Sequence, residues 1–138
     1  MTEINERGTV MKKYFIDRTS EFDPADSGNT HVFAGLSYLW ILFVLPLIAC
    51  PQSRFAKFHT NQGLVLFIIE AVINLIFGVV IKFVKIVPIL GGVAAGILGL
   101  IQGIIGIVVL VLAIYCLVRA FDGKADEISV IGSIRIIK

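Results

Sequence analysis

Charge is what this chain has least of. Acids and bases make up 16% of its 138 residues, while 57% are hydrophobic; a soluble domain carries about 25% charged and about 45–50% apolar residues. A water-soluble fold of this length has no means of covering so much apolar surface, so a bilayer has to supply the missing burial. Cysteine is nearly absent as well. Cys50 and Cys116 stand alone, without CxxC spacing, which excludes a zinc ribbon or dithiol redox motif and leaves two free thiols. No apolar stretch begins before Val32, and Glu3, Glu6 and Arg7 occupy the first residues, so no secretory signal is expected. No nucleophile with its base, phosphate-binding loop or metal cluster can be picked out. The expectation is a non-enzymatic protein without cofactor or metal.

The charges that exist are unevenly spread. The first 31 residues hold six acids and four bases, and the remainder four acids and eight bases. Met1 to Thr30 is polar, and Asp23-Pro24-Ala25-Asp26-Ser27-Gly28-Asn29 is a cluster of turn formers that reads as a solvated linker. Residues 1–31 are therefore taken as a tail and 32–138 as a membrane domain. Val32 to Ala49 is free of charge, about 27 Å as a helix against a hydrocarbon core of about 30 Å, and forms the first expected span. Gly63 to Ile81 forms the second. Between them lies Pro51 to Gln62, where Arg54, Lys57 and His59 alternate with Phe55 and Phe58. Such a segment suits the headgroup layer, its rings dipping inward and its cations meeting lipid phosphate. Nucleic acid is excluded as its partner by the spans on either side.

One acid lies inside the second apolar run. Glu70 is followed one turn later by Asn74, and a carboxylate near a bilayer centre costs about 2.5–3.5 kcal/mol, so it needs a partner or a proton. On a helical wheel His59, Gln62, Leu66, Glu70 and Asn74 share an arc of about 120°, a polar stripe that has to face protein or water. Glu70 is read either as a proton or cation ligand or as a protonated carboxyl hydrogen-bonded to a neighbouring helix.

Ile86 to Val118 then runs 33 residues without charge, too long for one span and too short for two. Gly92, Gly96, Gly99, Gly103 and Gly106 are spaced 4, 3, 4, 3, the rhythm of a helix-packing seam, within the subunit or between copies. A seam in phase favours one tilted span from about 92 to 118, preceded by a short interfacial or re-entrant piece at Ile86–Gly91; the alternative is a hairpin turning at Gln102-Gly103 and four spans. The predicted fold class is thus an all-α polytopic bundle of three transmembrane helices. With three spans, Arg54, Lys57, Arg119, Lys124, Arg135 and Lys138 outnumber Lys82, Lys85, Lys12, Lys13 and Arg18, a slight preference for the N-terminus outside and the C-terminus inside. The tail from Ile128 to Ile137 is too short to span and is expected on the membrane surface.

Three segments carry a resemblance: AGLSYLWIL, RFAKFHTNQGLVLFIIE with Arg54, Phe55, Phe58, Gln62, Gly63 and Glu70, and AIYCLVRAFDGKADEISVIGSIRII. Together they resemble the bacterial family related to Tic-twenty, the chloroplast inner-envelope import protein. The resemblance implies a small multi-pass protein of the bacterial cytoplasmic membrane, associating with itself or with other membrane proteins. Its bacterial members are largely of undefined activity, its plastid relative is associated with a protein-conducting translocon, and some related bacterial proteins reside in magnetosome membranes. This chain lacks the length for the plastid protein's additional membrane segment and has no cysteine-rich module ahead of its first span. The leading expectation is an assembly or accessory subunit. The rivals are a translocation or small-cation pathway lined by Gln62, Glu70 and Asn74, and a magnetosome-type organelle membrane protein.

Overall fold

The computed structural model describes residues 13–137. A short strand β1 (Phe15–Asp17) and a 3-10 turn (Thr19–Glu21) lead into helix α1 (Pro24–Leu36). A second 3-10 turn (Trp40–Phe43) and a short helix α2 (Val44–Ala49) follow, then two long helices, α3 (Arg54–Val84) and α4 (Leu90–Phe121), and a closing strand β2 (Asp126–Ile128).

The segment read as a linker starts a helix instead. Asp23 caps α1, its side chain accepting from the Ala25 N–H at 2.9 Å, and Pro24 takes the first helical position, where its missing N–H is no loss. Turn formers and helix starters are the same residues, so composition pointed to the wrong one of two outcomes. The N-terminal tail therefore does not end at residue 31 as a structural unit.

The first expected span, 32–49, is not one helix. The chain leaves α1 at Ser37, bends through Trp40, whose φ is +50°, and returns through the 3-10 turn and α2. α1, which precedes this excursion, is tied to the start of α3, which follows it: Asp26 Oδ2 accepts from the Phe55 N–H at 3.1 Å, and Thr30 Oγ1 lies 3.1 Å from Ser53 Oγ. Its tip reaches down to Phe67 and Glu70. The result is a re-entrant hairpin. Pro46 falls in the first turn of α2, where the missing N–H is tolerated, and the break itself lies at Ser37–Leu39.

α3 is capped by Ser53, whose Oγ accepts from the Ala56 N–H at 3.0 Å. With 31 and 32 residues, α3 and α4 are the two helices long and apolar enough to cross a membrane among the described residues. They contain the second and third expected spans. α4 runs unbroken through Gln102 and Gly103, which removes the alternative hairpin there, and Ile86–Gly91 is no separate re-entrant piece: Lys85–Ile89 is a tight turn and Leu90 and Gly91 already belong to α4. The turn closes on Gly91, where any Cβ would collide with the Val84 carbonyl. Large apolar side chains cover the outside of the pair, with Leu100 71% and Ile89 90% exposed, and no residue of α4's most apolar stretch is buried by the chain itself. Such a surface requires lipid or other protein.

The fold is helical but not purely so. β1 and β2 pair antiparallel, with Phe15 opposite Ile128 and Asp17 opposite Asp126, and the Ser129 N–H donates to the Tyr14 carbonyl at 2.9 Å. This small sheet joins the two ends of the described chain, so they lie at one end of the α3–α4 hairpin. The expectation of termini on opposite sides is corrected by the same observation. Ile128–Ile137 is likewise no free surface segment: it is hydrogen-bonded to α3.

The five seam glycines make no close backbone contact within one chain. A Cβ built on Gly92, Gly96, Gly99, Gly103 or Gly106 meets nothing within 4 Å, whereas one on Gly63 would strike the Ser37 backbone. Gly63, not the seam, is the close helix crossing. Gly63→Ala should therefore lower stability by about 2 kcal/mol through overpacking, and Gly99→Ala should raise it by about 0.5–1 kcal/mol by removing a helix glycine. Thermal melts in detergent check both signs.

Candidate functional site

His59, Thr60, Asn61 and Gln62 are consecutive, polar and buried. Because each helical residue turns about 100° from the last, four in a row point to every side of α3, and only a complete collar of chain can satisfy them. The structure supplies it. Thr60 Oγ1 lies 3.2 Å from Ser37 Oγ on the re-entrant hairpin. Asn61 donates to the Ile134 carbonyl at 2.7 Å and accepts from the Ile136 and Ile137 N–H groups at 2.6 and 3.0 Å. Gln62 donates to the Asp126 carbonyl at 3.0 Å and accepts from the Ile128 N–H at 2.9 Å, acting as an extra rung on β2.

His59 is completely enclosed. Its Nε2 donates to the Lys124 carbonyl at 3.1 Å, which leaves Nδ1 to accept from the Tyr38 hydroxyl at 2.8 Å. Phe55 and Phe58 crowd the ring, with centroids 4.7 and 5.1 Å away. Burial among these rings disfavours the imidazolium and pushes the pKa down to about 3. Both ring nitrogens are committed, so the imidazole is neither a base nor a metal ligand.

Beside it, the Asp126 carboxylate receives Arg119 Nε at 2.6 Å, Arg119 Nη2 at 2.9 Å and the Tyr115 hydroxyl at 2.9 Å. Its hydrogen bonds to the Asp126 carboxylate hold the Arg119 guanidinium's pKa above its ordinary value. Arg18 pairs with both Glu21 and the buried Glu127. Gly132 must lack a side chain because Glu127 occupies the space a Cβ would take.

The expected interfacial segment is divided by this arrangement. Phe55 and His59 are buried in the cap rather than dipped into lipid, and the whole of Arg54 to Gln62 belongs to the first turns of α3. Arg54, Lys57 and Phe58 line a cavity of about 330 Å³ together with Glu21, Phe22, Arg135 and Ile137.

The expected polar stripe is divided too. Gln62 is locked to β2, whereas Glu70 and Asn74 face a groove between α3 and α4 whose far wall includes Gly99, Gln102, Gly103 and Gly106. Asn74 Nδ2 donates to the Glu70 carbonyl at 2.8 Å and Gln102 Nε2 donates to Asn74 Oδ1 at 2.6 Å. The Glu70 carboxyl is half-buried beside Trp40 at the re-entrant tip and has no hydrogen-bond or ion partner among the described residues. No group of three His, Cys, Asp or Glu side chains among the described residues could hold a metal ion.

Sequence reasoning passed over Asn61, Tyr38, Tyr115, Arg119 and Asp126. The available signal was the unbroken polar run His59-Thr60-Asn61-Gln62, which no lipid-facing or one-sided helix tolerates.

The neutral imidazole makes stability depend on pH. The unfolded chain takes up a proton at His59 below about pH 6.5 while the folded chain does not, so stability is full above pH 7 and declines by roughly 1.4 kcal/mol per pH unit below about pH 6. Melting curves in detergent from pH 8 to pH 4 should show this slope, and His59→Gln should lose that part of it.

Comparison with known proteins yields little more than one partial relationship. No family model matches the chain, and no solved structure matches it. Over 63 residues, 46% of the chain, it is 38% identical to the magnetosome protein MmsF of Paramagnetospirillum magneticum. The match spans about half of that relative's length, 51%. The similarity and the two long apolar helices together fit a membrane protein.

Proposed function

We propose that this chain is a multi-pass protein of a bacterial membrane, a non-enzymatic assembly or accessory subunit whose α3–α4 hairpin crosses the bilayer beneath a closed cap. The observation that carries this reading is the contrast between the ends of the molecule. The hairpin turns apolar side chains outward, while the belt at His59–Gln62 spends its hydrogen-bonding capacity on the chain itself. Catalysis requires a group with a free lone pair or proton at a substrate, and the buried His59 and Asp126 have neither to offer.

Charge supports an orientation. Lys13, Arg18, Arg54, Lys57, Arg119, Lys124 and Arg135 belong to the cap end, against Lys82 and Lys85 at the hairpin turn, and basic residues favour the cytoplasmic side. The cap and both ends of the described chain are then cytoplasmic. The resemblance to Tic-twenty-like proteins supports the cytoplasmic membrane as the location, and the partial similarity to a magnetosome protein supports an organelle membrane as the alternative. Self-association is supported by the apolar outer face of α4, where Leu100, Ile104 and Val111 are uncovered by the chain itself.

A second reading, a cation or proton pathway, rests on Glu70, Asn74 and Gln102 in the groove. With Gln62 bound to β2, a continuous polar route is not built within one chain, and several copies would be needed to complete it.

Topology and role are tested together. With Cys50 and Cys116 replaced, Ser20→Cys and Asp122→Cys should react with an impermeant thiol reagent from one side of the membrane and Val87→Cys from the other; labelling of Ser20→Cys and Asp122→Cys from opposite sides would refute the arrangement. Glu70→Gln should leave oligomer mass by light scattering unchanged. Loss of cation flux in liposomes on that substitution would favour the pathway instead.

A further inference from the structure

The cap cavity brings together bases from distant parts of the chain. Arg54 and Lys57 sit one turn apart at the start of α3, and Arg135 comes from the C-terminal segment. None of the three enters an ion pair among the described residues. The acid in the lining, Glu21, is already bound to Arg18 at 2.9 Å. Arg135 is not a loose surface residue, because the three Asn61 hydrogen bonds hold the backbone on both sides of it, at Ile134 and at Ile136–Ile137. Asn61 is thereby spent on positioning a cation.

Like charges gathered in one concavity repel, and a chain that fixes them there has a use for the field they make. Three donors of this kind match an oxygen-rich anion, with the two guanidinium forks suited to phosphate. The remaining wall is apolar: Phe22, Phe58 and Ile137 line the same space. A cavity of about 330 Å³ with cations on one side and aromatic and aliphatic surface on the other suits a phosphate ester that carries a carbon portion better than a bare hydrated ion. Its depth is appropriate as well. Lys57 lies six residues before Gly63, about 9 Å along the helix from the start of the apolar run, which is headgroup height.

We infer that the cavity lined by Arg54, Lys57 and Arg135 binds a phosphate ester, and that its occupant is the headgroup of an anionic phospholipid. The occupant's identity as a lipid rests on the membrane placement above; the anion chemistry does not. Lipid bound here bridges α3 to the C-terminal segment and ties the closure of the cap to the composition of the leaflet.

The test uses the purified full chain in neutral detergent micelles and reads the melting temperature. Phosphatidylglycerol should raise it by about 5 °C over the same amount of phosphatidylcholine. The triple variant Arg54→Gln/Lys57→Gln/Arg135→Gln should lose that difference, and Lys82→Gln/Lys85→Gln should keep it. Should the triple variant not fold, Arg135→Gln alone is expected to remove at least half of the difference. Millimolar inorganic phosphate, compared with chloride at equal ionic strength, separates the sources: stabilisation by lipid alone assigns the headgroup, and stabilisation by phosphate alone assigns a soluble ester. Equal melting in both lipids with no response to phosphate overturns the site, as does an unchanged lipid response in Arg135→Gln. A chain that stays monodisperse without detergent would instead overturn the membrane placement, and that result is separate from either.

Discussion

Four polar side chains in succession on one helix cannot all be satisfied by a single neighbour. Leaving any one of His59, Thr60, Asn61 or Gln62 buried without partners would cost about 1–3 kcal/mol, and together they would exceed much of the stability of a chain this size. The re-entrant hairpin, the turn after α4, β2 and the C-terminal segment each answer one of them. The cap is therefore less a domain than a set of replies to one helix. Its aromatic lining follows from the same demand: Phe22, Phe55, Phe58 and Tyr38 close the remaining space around the imidazole.

The long apolar runs were legible because lipid imposes a simple rule, and both 63–81 and 92–118 fall inside single helices. The glycine rhythm rightly indicated one helix through Gln102-Gly103, because a turn there would have broken its phase. Residues 32–49 obeyed the same hydropathy rule and misled, since composition does not record that Ser37 and Tyr38 are needed by α3. The polar segments were hardest. Asp23-Pro24 is equally good as a turn and as a helix start, and the contact of Asp26, one turn later, with Phe55 decides between them. The pairing of Phe15 with Ile128 spans nearly the whole chain and leaves no local trace.

The candidate site was visible in outline as residues and invisible as an arrangement. Glu70 and Asn74 do share a protein-facing groove, as the wheel required, but His59 and Gln62 left the same stripe to join the cap. Periodicity places side chains around a helix and says nothing of which neighbour meets each level. Two kinds of glycine follow the same logic. Gly63 exists for a close approach inside the chain, where Ser37 leaves no room for a methyl, whereas Gly99, Gly103 and Gly106 of α4 widen the groove that faces Glu70 and Asn74.

The pairing of β1 with β2 has a consequence for biogenesis. Its partners are separated by more than a hundred positions, and contacts of such high order form late. In the order of synthesis the folded-back hairpin and both long helices precede Ile128, so the strand that seals the cap is made last among these elements. Until that strand pairs, the Gln62 amide lacks both of its partners on β2, and a chain ending before residue 126 would keep its helices but leave the top of the bundle unlatched.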